Sequence, residues 1–341
     1  MNKDLKTFLY ALPKAELHVH IEGTMEPEQF MFFAERNKIS VPYKTIEEAK
    51  QAYAFTDFLS FIHAYFLITQ VLCTQEDFYD LTMTYLKKAF SQGVLHAEIF
   101  FDLQIYLPRN ISPGTIINAI YQAMCDSKAL FGISAEMIMC FARDLSQENA
   151  FTVLELSLPF KDKIIGVGLA SIEIGNPPSK FKDVFAQAGA YGYHRVAHAG
   201  ECSAEMIRET IELLHVERID HGIQSVHNLS VMEEIIQKKI PLTLCPLSNL
   251  ALGVVKNLQP YPFKQMLDAG IIVTINSDDP AFFKSYIADN YYSAVTQMGL
   301  SLDDVIQCAR NSFEASFASD MRKKECLEKL SNFVSHTKLI I

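Results

Sequence analysis

A closed parallel (β/α)8 barrel is the fold class the sequence predicts, with a helical insertion after the first strand and extra helices at the C-terminus. Three observations carry that expectation. Eight short apolar runs recur along the chain with helical patterns between them, the alternation that parallel strands and crossover helices produce. The length of 341 residues suits one such barrel with an insertion. The runs also end in ionisable residues, at the strand edge where barrel enzymes carry their chemistry. No spacer is low-complexity or rich enough in Pro, Gly and Ser to be a linker, so residues 1–341 are read as one domain.

Residues 2–11 read as a short helix leading into the first strand. That strand, Ala15-Glu16-Leu17-His18-Val19-His20-Ile21-Glu22-Gly23, alternates polar and apolar residues. A strand sends successive side chains to opposite faces, so His18 and His20 point the same way, about 6–7 Å apart. Two imidazoles so placed can close on one metal ion, while Leu17, Val19 and Ile21 pack against covering helices. Pro13 and Gly23 punctuate the run.

From Glu26 to about Lys88 the pattern is helical, and Phe58 to Phe66 puts aromatics at three- and four-residue spacing. Core packing is the ordinary role of such a stripe; a hydrophobic wall over a ligand is the alternative. The remaining strand runs are 93–102 (GVLHAEIFFD), 133–143 (ISAEMIMCFAR), 164–173 (IIGVGLASIE), 193–201 (YHRVAHAGE), 216–222 (VERIDHG), 240–249 (IPLTLCPLSN) and 271–280 (IIVTINSDDP). Helices follow from Leu300, where Lys323, Lys324, Glu325, Glu328 and Lys329 read as a solvated face of mixed charge.

Composition narrows the function. Nearly half the residues are apolar (49%), enough for a sizeable core. The formal net charge of −10 argues against nucleic acid, whose phosphates draw on clustered Lys and Arg. No apolar run approaches the roughly 18 residues that span a bilayer, and the charged N-terminus has no signal-peptide core after it. The seven cysteines are scattered, with no Cys-x-x-Cys pair, so neither a disulfide framework nor a thiolate zinc site is indicated. A reducing cytoplasm is the expected compartment.

The C-terminal strand ends supply His18 and His20, His198 and Glu201, Asp220 and His221, and Asp278 and Asp279. An ion-pair network around the barrel mouth would use the same groups. Three imidazoles and one carboxylate, however, suit a borderline metal such as zinc with a position open for water. The ligand set assigned is His18, His20, His198 and Asp278, holding one zinc ion or another divalent metal. Such an ion lowers the pKa of bound water from about 15.7 toward 7. A bridged two-metal site would want a lysine at the end of the fourth strand, and none stands there. Glu201, beyond the Ala199-Gly200 turn, is placed to protonate a nitrogen of the substrate. His221 is placed to orient the attacking oxygen or stabilise developing charge. Asp279 points to the opposite face from Asp278 unless Pro280 and the strand end bend it into the pocket. The other six histidines have no such company and are read as structural or surface residues.

Five segments in order, Pro13-Lys14-Ala15-Glu16-Leu17-His18-Val19-His20-Ile21-Glu22-Gly23, His198-Ala199-Gly200-Glu201, Arg218-Ile219-Asp220-His221-Gly222, Cys245-Pro246-Leu247-Ser248-Asn249 and Asn276-Ser277-Asp278-Asp279-Pro280, resemble the adenosine/adenine deaminase family over about residues 12–318. The resemblance implies zinc ligands at His18, His20, His198 and Asp278, a proton donor to purine N1 at Glu201, a hydroxide-orienting histidine at His221 and a purine N7 contact at Asp279. Adenosine deaminases resemble His-x-His-x-Asp-Gly; the residue here is Glu22, whose longer arm would crowd a ribose and accept from N9–H of the free base. The runs 173–181 and 100–104 are similar to the adenine deaminase subgroup, and Ser171 would sit near purine N3. Departures lie at the pocket rim: Ala170 and Ile172 where the subgroup has Asp and Ser, Leu103 where it has Pro, and Cys202-Ser203 after Glu201.

The expected activity is therefore hydrolytic deamination of adenine to hypoxanthine and ammonia, in purine salvage. Adenosine or an N6-substituted adenine is the alternative substrate, and an inactive purine-binding barrel the alternative class. The expected partner is a small-molecule purine, with no nucleic acid and no membrane, and a homodimer is left open.

Overall fold

The computed structural model describes residues 2–337. Eight strands run in chain order around one sheet: β1 Lys14–His20, β2 Val94–Asp102, β3 Ser134–Ala142, β4 Ile164–Ala170, β5 His194–Ala199, β6 Arg218–His221, β7 Leu242–Leu244 and β8 Val273–Ile275. All seven neighbouring pairs are parallel. Each strand is covered on both faces, which is why runs such as IFF in β2 and MIMCF in β3 are continuously apolar rather than alternating. The last gap is closed by a single bridge between Val19 and Asp278. The main chain of Asp278 donates to the His18 carbonyl at 3.1 Å, and His20 N–H donates to the Asp278 carbonyl at 3.0 Å. The result is the (β/α)8 barrel that the strand alternation predicts.

The three longest helices of the insertion between β1 and β2 are Pro27–Arg36, Phe58–Thr69 and Gln75–Ser91. The middle one starts at Asp57, whose carboxylate accepts from Ser60 N–H while Ser60 Oγ accepts from Asp57 N–H. Its aromatic stripe serves both roles weighed above. Phe61 and Tyr65 pack on Phe282, at ring separations of 5.2 and 6.1 Å, and the same two side chains line the cavity at the barrel mouth. The C-terminal helix Leu302–Glu314 packs against β8 and β1, and Asp320–Thr337 packs on it and ties to the starts of β2 and β3 through Arg322.

Several strands stop short of the expected runs, β1 at His20, with Glu22 and Gly23 in a 3-10 turn, β4 at Ala170, and β7 and β8 most of all. The runs 240–249 and 271–280 yield strands of only three residues each. Pro246 opens a helix at Pro246–Ala251, because its fixed φ suits a first helical position and it has no N–H for a ladder. Beyond Ile275 the chain bends, and Asp278 adopts a left-handed φ of +67°.

Most of the core lies between strands and helices. A smaller cluster of Phe100, Ile138, Cys140, Ala170 and Val196 fills the barrel itself. Below it Arg218 and Glu98 form a fully buried pair at 2.5 Å, with the guanidinium over the Phe317 ring. β4 and β5 pair only at Gly166–His194 and Val167–Arg195 and then separate. Arg143 bridges the opening: its guanidinium donates to the His198 and Asn176 carbonyls at 2.8 and 3.0 Å, and its main chain to the Ala170 carbonyl. No helix among the described residues is long and apolar enough to cross a membrane.

Candidate active site

Side chains from opposite walls of the barrel converge at its C-terminal mouth. Asp278 Oδ1 stands 3.3 Å from His18 Nε2 and 3.5 Å from His20 Nε2. His20 Nε2 and His198 Nε2 are 3.1 Å apart. Phe100 packs against all three imidazoles, with ring separations of 5.2, 5.1 and 5.7 Å. Burial pushes His20 down to about 3, and burial together with His18, His20 and His221 holds His198 well below the usual histidine range. Both imidazoles are therefore neutral and offer lone pairs. Burial opposes ionisation of Asp278, but the surrounding imidazoles of His18, His221 and His20 outweigh it and keep the carboxylate charged.

Neutral imidazoles facing one another across 3 Å, around a buried carboxylate, satisfy each other poorly. His18 Nε2 is buried and makes no hydrogen bond. A cation would resolve all of these contacts at once, and ring nitrogens with a carboxylate oxygen are a donor set that could hold a divalent metal. The ligand atoms of His18, His198, His221 and Asp278 lie within 4.8 Å of one another, as do those of His20, Asp278 and Asp279.

Behind the imidazoles is a layer to which the sequence reading gave no role. Thr243 donates its only hydroxyl proton to Asp220 Oδ1 at 2.8 Å, so at 3.0 Å it accepts from His18 Nδ1. That keeps Nδ1 protonated and leaves Nε2 as the nitrogen turned toward Asp278. Asp220 Oδ2 lies 3.5 Å from His198 Nδ1. One carboxylate on β6 thus backs two histidines from opposite walls, which only the closed barrel brings together.

Glu201 enters from the loop after β5. The Glu173 carboxylate accepts main-chain N–H bonds from Gly200, Glu201 and Cys202 at 3.0, 3.0 and 3.1 Å. This cradle pins the loop and aims the Glu201 side chain at the cavity. Burial raises the Glu201 carboxyl; His221 opposes that and Glu173 adds to it. Glu201 Oε1 is buried without a partner, 3.8 Å from His221 Nε2, which is also 3.8 Å from Asp278 Oδ2. On its other side His221 Nδ1 faces Asn249 Nδ2 at 3.5 Å, and Asn249 is held by the Tyr261 hydroxyl at 2.8 Å. Ser171, His221 and Asp278, each just at or past a strand end, all have positive φ. Such backbone costs about 1 kcal/mol or more per residue and turns side chains out of the strand alternation.

Asp279 shows the consequence. Strand alternation puts it on the opposite face from Asp278, yet both carboxylates line the cavity, because the strand ends at Ile275 and Asp278 is left-handed. Asp279 fills the space beside Gly23: a Cβ on that glycine would come within 1.9 Å of Asp279 Oδ1, which is why no larger residue fits after the first strand. Burial, then the charge of Asp278, raises Asp279 well above the carboxylate range, so it carries a proton. Ser171 Oγ is buried in the cavity wall with no partner.

Glu22 lies deeper. Its carboxylate accepts from the hydroxyls of Tyr65 and Tyr106, both at 3.1 Å, and from Asp102 N–H at 3.4 Å. Burial pushes it up to about 7 against those bonds. Tyr65 and Asp102 rather than Glu22 form the cavity surface. Asp102, at the end of β2, is a site residue the sequence reading did not single out.

Residues 13–333 match the family described as adenosine deaminase. The chain is 47% identical over 324 residues to an adenine deaminase of Psychrobacter cryohalolentis, covering 95% of this chain and 98% of that one. It is 47% identical over 336 residues to an adenine deaminase of Geotalea uraniireducens, covering 98% and 95% respectively. Among solved structures, an adenine deaminase from Arthrobacter aurescens superposes with a TM-score of 0.93 at 43% identity, over 95% of this chain and all of that one.

Proposed function

Because this chain belongs to the adenosine deaminase family, we propose that it is an adenine aminohydrolase, converting adenine and water to hypoxanthine and ammonia. The observation that carries the reading is that the imidazole–carboxylate cluster, the Glu201 carboxyl that burial raises and the protonated Asp279 all open into one cavity.

We assign His18, His20, His198 and Asp278 as ligands of a single zinc ion, a borderline metal suited to this nitrogen-rich donor set. The end of β4, Ala170-Ser171-Ile172-Glu173, has no lysine that could carry a bridging carbamate for a second metal. When bound, the ion lowers the pKa of water and supplies a nucleophile at neutral pH.

The chain's own residues do the rest. Water adds across the N1–C6 double bond of the purine, and loss of ammonia from C6 leaves the oxo product. Glu201 gives its proton to N1, which makes C6 electrophilic. His221 Nε2 and Asp278 Oδ2, facing each other at 3.8 Å, hold the oxygen that arrives at C6. Asp279 donates to N7, and Ser171 Oγ meets N3. Glu22 stands behind Tyr65 and Asp102, bonded to both, and fixes the end of the cavity that would have to open for the ribose of adenosine.

Purified metal-loaded protein should form hypoxanthine and ammonia from adenine, and turn over adenosine far more slowly. A preference for adenosine or an N6-alkyl adenine would overturn the choice of base. No turnover of any 6-aminopurine would overturn the reaction.

A further inference from the structure

A second chamber of about 310 Å³ abuts the active-site cavity, sharing Phe58, Glu201 and Leu252 with it. The rest of its wall comes from residues 172–174, which directly follow Ser171, and from Cys202, Gly253 and Val254. We propose that this chamber is a subsite for an apolar substituent on C2 of a 6-aminopurine, so that the enzyme deaminates 2-substituted adenines such as 2-methylthioadenine.

The inference rests on the reading above, in which Glu201 faces N1 and Ser171 faces N3. C2 is the one ring atom bonded to both nitrogens, so a group on C2 projects between those two residues. The chain between them is what lines the chamber: Ile172 and Glu173 on one side, Glu201 and Cys202 on the other. Its lining suits an apolar group. Phe58, Ile172, Ile174, Leu252 and Val254 dominate it, and the Glu173 carboxylate is taken up by three main-chain N–H groups. Ile174 is 74% exposed, so the chamber reaches the surface and places no closed end against a substituent of several atoms. The reaction is unchanged: water adds at C6, ammonia leaves, and the C2 group stays on the product.

The test is kcat/KM of the metal-loaded enzyme for adenine and for 2-methylthioadenine, in the natural protein and in Val254→Phe. Val254 is half-buried on a loop and contacts the second chamber alone of the two. The natural enzyme should process 2-methylthioadenine within about tenfold of adenine. Val254→Phe should keep adenine within about threefold and lose roughly tenfold or more on 2-methylthioadenine, the range that one or two occluded heavy atoms command. The electronic effect of the substituent is the same in both proteins, so the ratio isolates the chamber. Val254→Leu, a smaller change, should move the ratio the same way by less, which guards against a misfolded variant. Adenine turnover with 2-methylthioadenine about a thousandfold poorer, or a variant that slows both substrates equally, would overturn the subsite alone. Absence of adenine turnover would overturn the adenine reading, and the subsite with it.

Discussion

Asp278 meets His18 twice: its main-chain N–H donates to the His18 carbonyl at 3.1 Å, and its Oδ1 stands 3.3 Å from His18 Nε2. The contact that closes the barrel between β8 and β1 is therefore also one edge of the metal cluster. A cation at the proposed site would therefore couple to barrel closure, and stripping the metal should lower thermal stability as well as activity. Metal held at a thousand times its dissociation constant contributes about 4 kcal/mol. Calorimetry with and without chelator should show a lower Tm that returns when zinc is restored. An unchanged Tm would contradict the coupling.

Asp220 backs His18 through Thr243 and faces His198 directly. Asp220→Asn or Thr243→Val should weaken metal affinity by about 10- to 100-fold, as loss of partners behind metal-bound histidines does. Competition with a chromogenic chelator measures it. Unaltered affinity in both variants would remove the layer from the account.

Glu201→Gln should lower kcat by about 10²- to 10⁴-fold, the usual worth of a positioned acid, while zinc content stays at the natural level. His198→Ala should instead lose the metal. Identical behaviour of the two would dissolve the distinction between acid and ligand.

The same carboxyl sets a sign for the pH profile. Glu201 must be protonated in the free enzyme to act, and burial raises its pKa. Activity should therefore hold on the acid side and fall as pH rises through that raised value, and Glu201→Gln should lack this alkaline limb. A limb that survives in the variant belongs to another group.

Away from the site, Arg218 and Glu98 are a buried pair at 2.5 Å. Burial opposes the charge on Glu98, but Arg218 outweighs it and holds the carboxyl down at about 2. A depressed carboxylate contributes stability above its unfolded pKa, and that contribution is lost as pH falls through the folded value. Arg218→Met should cost about 3–5 kcal/mol at neutral pH by stranding the charge, and the deficit against the natural protein should shrink as Glu98 becomes protonated. Denaturant unfolding at several pH values checks both.

The parts of this molecule that could be read from its sequence are those governed by local period. Eight apolar runs with helices between them predict the barrel, and His18 and His20 share a face because a strand repeats every two residues. The same rule misplaces Asp279, since β8 stops at Ile275 and Asp278 turns left-handed, bringing two consecutive carboxylates into one cavity. Glu16 departs too. The pairing with β2 shifts register between Glu16 and Val19, and Glu16 bonds the Tyr85 hydroxyl and Ser277 instead of joining the histidines. Asp220, Thr243, Glu173 and Asn249 act through partners on other strands and loops. The chain carried no local signal for them beyond the Glu173 and Asp220 carboxylates at strand ends.

The most direct test is activity on adenine as a function of zinc added to metal-free protein, with zinc content measured in parallel. The account predicts no hypoxanthine without metal and a rate that climbs to a plateau at one zinc per chain. Full activity in the metal-free protein, or a plateau requiring two, would contradict it.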